Sequence, residues 1–261
     1  MIASVAEAAS RLPDADVRLM LLLQGASAAD ASAFPAFVTP FSIDGTISLS
    51  RARNRLLGEA LARGAVEHDT VVAFPDDDCW YPPRALETIA GRFAADPDLD
   101  LWFCRYGSEP TAPGAAHFAG SAATARDVVR NASSNTIVVR GSVVKQICRF
   151  DETLGVGTPN FGGEDVDFAL HAFRLARRAA FADAKLVGHR DKNTELRARY
   201  YRGSLIVLGR HAPKIGGARY EYARKLLVGA YLGCRGELGM RAYASAVGAS
   251  LAAAAGRPSS A

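Results

Sequence analysis

Three consecutive carboxylates, Asp76, Asp77 and Asp78, follow an apolar run that reads as a buried strand, and an aromatic pair, Trp80-Tyr81, comes next. Adjacent carboxylates repel one another, which is costly unless solvent or a cation neutralises them. Oxygen ligands of this kind suit Mg²⁺ or Mn²⁺. The triplet therefore predicts a divalent metal site. The competing interpretation is a solvated acidic loop that leads into a helix, where Asp favours turns and helix starts.

A second acidic pair, Glu164-Asp165, follows a segment that ends in Gly162-Gly163, at the predicted start of a helix. Glycines let the backbone approach a ligand closely. The helix dipole stabilises acids in the first turn, so we expect both carboxylates to be ionised at neutral pH. An ionised carboxylate in a cleft can accept a proton from an attacking hydroxyl. Ordinary helix capping is the alternative.

A single histidine, His189, ends the predicted strand that follows this helix. A neutral imidazole at that place can reach back to a metal held by the aspartates. A lone histidine is more often structural, so this role is a hypothesis that depends on the aspartates.

The elements that must position these groups alternate along the chain. Apolar runs predict strands at 17–24, 37–39, 70–74, 99–105, 136–140 and 185–188, and helical patterns lie at 5–12, 50–63, 84–95 and 164–178. This alternation predicts an α/β fold with a mostly parallel sheet flanked by helices. Ligands of such sheets bind beyond the carboxyl ends of the strands, where the triplet lies.

The bulk composition excludes several classes of protein. The chain has 261 residues, a net charge of +4 and 49% hydrophobic residues, enough for a sizeable core. Its 4 cysteines form no CxxC pair, which argues against a zinc site or a disulfide framework and for a reducing cytosol. The amino terminus lacks the pattern of a signal peptide, and the apolar stretches are too short to cross a bilayer. We therefore expect a cytoplasmic protein.

Basic residues concentrate toward the carboxyl terminus. Residues 186–261 hold 13 Lys and Arg against 4 Asp and Glu, a local balance of +9. We predict a main domain over residues 1–205 and a basic helical extension over 206–261. The extension is expected to touch an anionic membrane surface, at the inner face of the plasma membrane, or a lipid-linked molecule. A solvated helical surface is the alternative, and no motif indicates nucleic-acid binding.

Four segments, in order and spacing, resemble the family 2 glycosyltransferases, which have the GT-A fold. They are ISLSRARNRLLGEA (47–60), VVAFPDDDCWYPPRALE (71–87), FDETLGVGTPNFGGEDVDFALHAFR (150–174) and KLVGHRDK (185–192). The resemblance covers roughly residues 5–215. It implies a metal-dependent, inverting transfer of a sugar from a nucleotide-diphosphate sugar to the hydroxyl of a glycan or lipid-linked acceptor, in cell-surface or exopolysaccharide synthesis.

The resemblance also implies roles for individual residues. Asp165 is the expected catalytic base, with Glu164 and Gly163 on the acceptor side. The expected ligands of Mn²⁺ or Mg²⁺ are Asp78, Asp76 and His189. The expected donor contacts are Gln24, Arg53, Asn54, Asp76, Asp77 and Trp80.

The amino-terminal region departs from the family pattern. Family members open with a strand before the first helix, whereas this sequence opens in what reads as that helix. The next strand ends in Gln24 where the family usually has an acid that contacts the donor base. Two alternatives stay open: a metal-dependent nucleotidyltransferase, which the absence of a GxxxxGK[ST] loop disfavours, and a transferase-like protein that binds without turnover.

Overall fold

The computed structural model describes residues 1–25, 34–111, 119–191 and 194–256. The helices are α1 (Ile2–Ser10), α2 (Leu49–Ala62), α3 (Ala85–Ala95), α4 (Ala125–Asn131), α5 (Gly141–Ile147), α6 (Glu164–Leu175), α7 (Tyr201–His211), α8 (Ala218–Cys234) and α9 (Met240–Ala254), with a 3₁₀ turn at Thr194–Arg197. The strands are β1 (Leu19–Gln24), β2 (Val38–Ile43), β3 (Val71–Ala73), β4 (Leu99–Gly107), β5 (Ser121–Ala122), β6 (Ile137–Arg140) and β7 (Arg178–Gly188). The predicted α/β class is confirmed.

Within the described residues, the main sheet has five strands in the order β3-β6-β4-β7-β5. Only β4 and β7 pair in parallel, whereas β6 is antiparallel to both β3 and β4, and β5 is antiparallel to β7. The expectation of mostly parallel strands is therefore corrected to a mixed sheet. A strand buried on both faces reads as a continuous apolar run in either direction, so the sequence of β6 carried no sign of its orientation.

A second, two-stranded sheet is formed by β1 and β2, which pair in parallel. Within the described residues, β1 pairs only with β2 and β3 pairs only with β6, so each keeps one unpaired edge. A cavity of about 1990 Å³ lies against both strands and is lined by Leu21 of β1, Val72 of β3, Leu56 of α2 and Ile89 of α3. The sheet layer is thus interrupted beside β1, in the region where the sequence departs from the family pattern.

The core lies around β4 and β7. Trp102 and Phe103 of β4 are fully buried on its two faces. A smaller cluster joins α7, α8 and α9 through Tyr201, Leu205, Leu232 and Ala246. Because α7 belongs to this cluster and also sends Ile206 into the main core, the division at residue 205 stays a prediction.

Some element boundaries differ from the sequence-based expectation. Strand β7 starts at Arg178 rather than at 185, because the alanine-rich first half carries little strand signal. Helix α2 begins one residue before its predicted start at 50, and its N-cap is Ser48. Ser50 is therefore inside the helix, where it is buried and its hydroxyl donates to the carbonyl of Leu154 at 2.6 Å. No helix in the described ranges is both long and apolar enough to cross a membrane.

Candidate active site

Arg53 joins the two acidic motifs. Its Nη2 lies 2.8 Å from Asp76 Oδ1, and its Nη1 lies 2.6 Å from Asp165 Oδ1. Arg53 is on the buried face of α2, Asp76 follows β3, and Asp165 is in the first turn of α6. Hydrogen bonds between charged groups are stronger than those between neutral groups. Three segments that are distant in sequence therefore meet at a single guanidinium.

Aromatic packing holds that guanidinium in place. The rings of Phe150 and Phe168 stack with centroids 4.3 Å apart, and Phe74 meets both edge-on at 5.2 and 5.0 Å. The Cζ of Arg53 lies 5.4 Å from the centroid of Phe150. A cation near a ring face is stabilised by the ring's quadrupole, so the aromatic cluster stabilises the position of the Arg53 guanidinium.

The site holds more negative than positive charge. Glu164 Oε1 lies 3.7 Å from Arg53 Nη1, so three carboxylates surround one guanidinium. Burial and the neighbouring Asp165 raise the pKa of Glu164 to about 8, although Arg53 opposes the shift. Burial also raises the pKa of Asp76. The expectation that Glu164 is ionised at neutral pH was therefore wrong, because the helix dipole is outweighed by desolvation.

Gly163 is the N-cap of α6 and adopts a left-handed conformation with φ of 92°. A Cβ there would lie 2.9 Å from the backbone of Gly203 in α7. The position therefore needs glycine so that α6 and α7 can approach each other. That packing sets the direction of Glu164 and Asp165. A contact of Gly163 with the acceptor stays a prediction.

Asp76, Asp78 and His189 form a group of potential metal ligands. One ligand atom from each lies within 4.8 Å of the others. His189 Nε2 is 3.0 Å from Asp78 Oδ1, and its Nδ1 is 2.9 Å from the carbonyl of Arg190. With the proton on Nδ1, the imidazole turns a lone pair toward a carboxylate, an arrangement that a cation between them stabilises. The two carboxylates of the group are ligands that suit Mn²⁺ or Mg²⁺.

Four predicted donor contacts lie at the edge of this centre or away from it. Asp77 is exposed beside the cavity, and Gln24 lines it while accepting a bond from the backbone of Ile47 at 2.8 Å. The side-chain amide of Asn54 donates to the carbonyl of Phe150 and to the carboxylate of Glu152, and it accepts from the backbone N–H of Phe150. Trp80 packs on Gly188 and faces a separate surface cavity. The structure therefore does not bring Asn54 and Trp80 together with the acids.

Three residues of the site were not anticipated. Ser134 donates to Asp76 at 3.2 Å, Arg190 lies 3.4 Å from Asp78, and the ring of Tyr106 meets that of His189 at 5.0 Å. Burial and the charges of Asp165 and Asp76 raise the pKa of Tyr106 to about 12. The sequence could have indicated Arg190, because it directly follows His189. No sequence pattern indicates Ser134 or Tyr106, because only the folded sheet places them near the aspartates.

No protein-family model and no curated protein matches this chain. Among solved structures, the chain is similar to S. aureus TarS 1-349 in complex with UDP, with 15% identity and a TM-score of 0.55 over 94% of this chain and 70% of that one. It is also similar to the mannosyltransferase PcManGT from Pyrobaculum calidifontis in complex with GDP-Man and Mn²⁺, with 16% identity and a TM-score of 0.52 over 100% of this chain and 73% of that one. The chain has the GT-A glycosyltransferase fold. Within that fold, Arg53, Asp76 and Asp165 share one cavity.

Proposed function

We propose that this GT-A chain is a metal-dependent, inverting glycosyltransferase that moves a sugar from a nucleotide-diphosphate donor to an acceptor hydroxyl in cell-surface or exopolysaccharide synthesis. The observation that carries the proposal is the bridge from Arg53 to both Asp76 and Asp165. It joins a carboxylate of the candidate metal group to a candidate base within one cavity. A solvated acidic loop or a simple helix cap would not require that connection.

The donor's diphosphate is assigned to the side of Asp78 and His189. These residues and Asp76 would hold Mn²⁺ or Mg²⁺, which would stabilise the charge that grows on the departing diphosphate. The exposed guanidinium of Arg190 lies beside Asp78 and adds a positive charge for the same phosphates. The UDP complex of TarS and the complex of PcManGT with GDP-Man and Mn²⁺ support this class of donor and metal.

Asp165 is proposed as the base. Within the described residues its bonds use Oδ1, which leaves Oδ2 for the proton of the acceptor hydroxyl. The raised pKa of Glu164 keeps that neighbour largely protonated at neutral pH, so a single carboxylate of the pair acts as acceptor of the proton. The hydroxyl then attacks the anomeric carbon opposite the leaving group. This displacement inverts the configuration without a covalent intermediate on the enzyme.

A thermal-shift screen of nucleotide sugars, with and without Mn²⁺, tests the proposal. A ligand that binds the folded state raises the melting temperature by mass action, so the donor should appear as a hit that depends on metal. Incubation with that donor and a panel of acceptors should then release the nucleoside diphosphate. A hit that does not depend on metal, or no hit in a complete screen, would contradict the proposal.

A protein that binds a donor without turnover is the second candidate. The interrupted sheet between β1 and β3 favours it, because one wall of the donor side rests on a separate two-stranded sheet. The two candidates differ in one measurement. Stoichiometric, metal-dependent donor binding with neither hydrolysis nor transfer across the acceptor panel would select the binding protein.

A further inference from the structure

The cavity that contains Asp165 also has a basic wall. We use this name for four residues that line the cavity: Arg130, Arg197, Arg224 and Lys225. Arg130 is in α4, Arg197 ends the 3₁₀ turn, and Arg224 and Lys225 are in α8. These elements come from three separate stretches of the chain. The wall is therefore a product of the fold and not of a local run of basic residues.

Two arginines of the basic wall share one carboxylate. Glu221, which is fully buried, accepts bonds from Arg130 at 2.9 Å and from Arg224 at 2.7 Å. One carboxylate thus serves two guanidiniums. In the part of the chain that the structure describes, no carboxylate lies within ion-pair distance of the Lys225 ammonium. Lys225 therefore contributes a positive charge to the cavity that no ion pair within the described residues offsets.

Lys225 is the most informative member of the wall. It is partly buried, and its Nζ lies 5.5 Å from the centroid of the Tyr201 ring. Burial, together with the charges of Arg224 and Arg197, lowers its pKa to about 8. A partly desolvated ammonium beside other cations is unfavourable unless an anion offsets it. An anion bound from the cavity would remove this cost.

The wall is connected to the candidate catalytic centre. Arg130 lies near the end of α4, and Ser134, four residues later, donates to Asp76 at 3.2 Å. On the other side, Tyr201 follows Tyr200, which lines the same cavity. Asp165 and the four residues of the basic wall therefore line the same cavity.

We propose that the basic wall binds a phosphate group of the acceptor, so that the substrate class is an alcohol that carries a phosphate or phosphodiester. This inference rests on the proposed function, because it assumes that Asp165 activates the acceptor hydroxyl. A phosphate offers three or four oxygens to the guanidinium and ammonium donors. The donor's own diphosphate is assigned elsewhere, to the side of Asp78, His189 and Arg190.

A lipid bilayer is a weaker candidate for the wall than an acceptor phosphate. Arg130 and Arg224 have side chains only 33% and 35% exposed, and Lys225 is also partly buried inside a cavity. A planar surface attracts basic side chains that project into solvent. A small anion that enters the cavity fits the observed burial better.

The test compares glycerol phosphate with glycerol as acceptors, using the full chain, Mn²⁺ and the donor found by the thermal-shift screen. The variants are Lys225→Met, Lys225→Arg and the control Lys214→Met, which removes an exposed lysine that does not line the cavity. We expect Lys225→Met to raise the KM for glycerol phosphate about 10- to 100-fold. The KM for the donor should stay unchanged, Lys225→Arg should restore most of the affinity, and Lys214→Met should behave as wild type.

Three results would overturn the inference. One is equal use of glycerol and glycerol phosphate by the wild type. Another is a rise in the KM for the donor alone in Lys225→Met, which would assign the wall to the donor's diphosphate. The third is weaker binding of Lys225→Met to anionic vesicles with an unchanged KM for glycerol phosphate, which would assign the wall to a membrane. Metal-dependent hydrolysis of the donor, measured without acceptor, reports on the proposed function separately.

Discussion

Helix α6 carries two acidic clusters, and each is organised by an arginine from another helix. The open cluster consists of Arg53, Asp76, Glu164 and Asp165. The closed cluster consists of Arg210, Asp151, Asp167 and His211. In both, one guanidinium bridges a carboxylate of α6 to a carboxylate of a preceding loop. The bridging geometry is therefore similar in the two clusters.

The clusters differ in access and in the number of carboxylates around the arginine. In the closed cluster, Arg210 lies 2.7 Å from Asp151 and 3.0 Å from Asp167, and the fully buried His211 lies 2.9 Å from Asp167. No member lines the large cavity, and two carboxylates face an arginine and a histidine. The open cluster lines the cavity and places three carboxylates around one arginine.

That difference separates a site from a structural network. An excess of buried negative charge is unfavourable by itself and is suited to a cation or to proton transfer. In the closed cluster, Arg210 bridges both carboxylates away from the cavity, so the network only fixes the packing of α6 against α7. Asp167, His171 and His211 are close enough to hold a metal, but Arg210 already occupies Asp167 Oδ1. Proximity of ligand types is thus not sufficient evidence for a metal site.

The largest expected effect comes from replacing one acid of α6 in each cluster. Asp165→Asn should lower kcat about 10²- to 10⁴-fold because the amide cannot accept the proton. Its melting temperature should change little, since the lost ion pair with Arg53 is offset by weaker repulsion between carboxylates. Asp167→Asn should do the reverse, with a lower melting temperature and nearly full kcat per folded molecule. Steady-state kinetics and calorimetry on both variants measure the contrast, which would be broken by transfer that persists in Asp165→Asn.

The next effect concerns the metal. Asp78→Ala removes the carboxylate that faces His189 Nε2 at 3.0 Å. We expect transfer to fall about 100-fold and the Mn²⁺-dependent part of the donor's thermal shift to disappear. Asp44→Ala, at an exposed position that does not line the cavity, is the matched control. The same Mn²⁺ response in both variants would exclude Asp78 as a ligand.

A smaller effect is expected in the closed cluster from Arg210→Met. The change leaves the buried Asp167 with only the two histidines as side-chain partners, His211 at 2.9 Å and His171 at 3.6 Å, so the free energy of unfolding should fall by about 2 kcal/mol. Because Arg210 does not line the cavity, the KM for the donor should not change. Urea unfolding and donor titration measure the two quantities. An unchanged midpoint, or a raised KM in fully folded protein, would remove the distinction between the clusters.

The sequence pattern singled out the acids of the open cluster, whereas Arg53 was expected only from the family resemblance. Asp76 follows a strand and Asp165 begins a helix, and those positions have a defined place in an α/β sheet. Asp167, only two residues after Asp165, illustrates the limit of this reasoning. Which carboxylate reaches the cavity depends on the rotation of α6, and Gly163 against Gly203 sets that rotation.

The remaining features depend on contacts that the sequence does not encode locally. Asn54 and Trp80 have side chains that serve binding and structure equally well, and here they bond to residues 150–152 and pack on Gly188. The mixed strand directions follow from where β6 inserts. The carboxyl-terminal basic excess was visible in the composition, but only the fold gathers Arg130 and Lys225 on the same cavity.

The smallest expected effect sharpens the comparison through pH. The pKa of Glu164 is raised from 4.5 to about 8, so the folded state holds more protons than the unfolded state between these values, and stability falls as pH rises through that window. Glu164→Gln removes this loss. Between pH 6 and pH 8 the variant should therefore lose about 1–2 kcal/mol less stability than wild type. The raised pKa of Asp76 leaves part of the decline in place.

Urea unfolding at the two pH values measures the difference, and Glu67→Gln, at an exposed position, is the control. Parallel declines in Glu164→Gln and wild type would show that Glu164 does not cause the pH dependence.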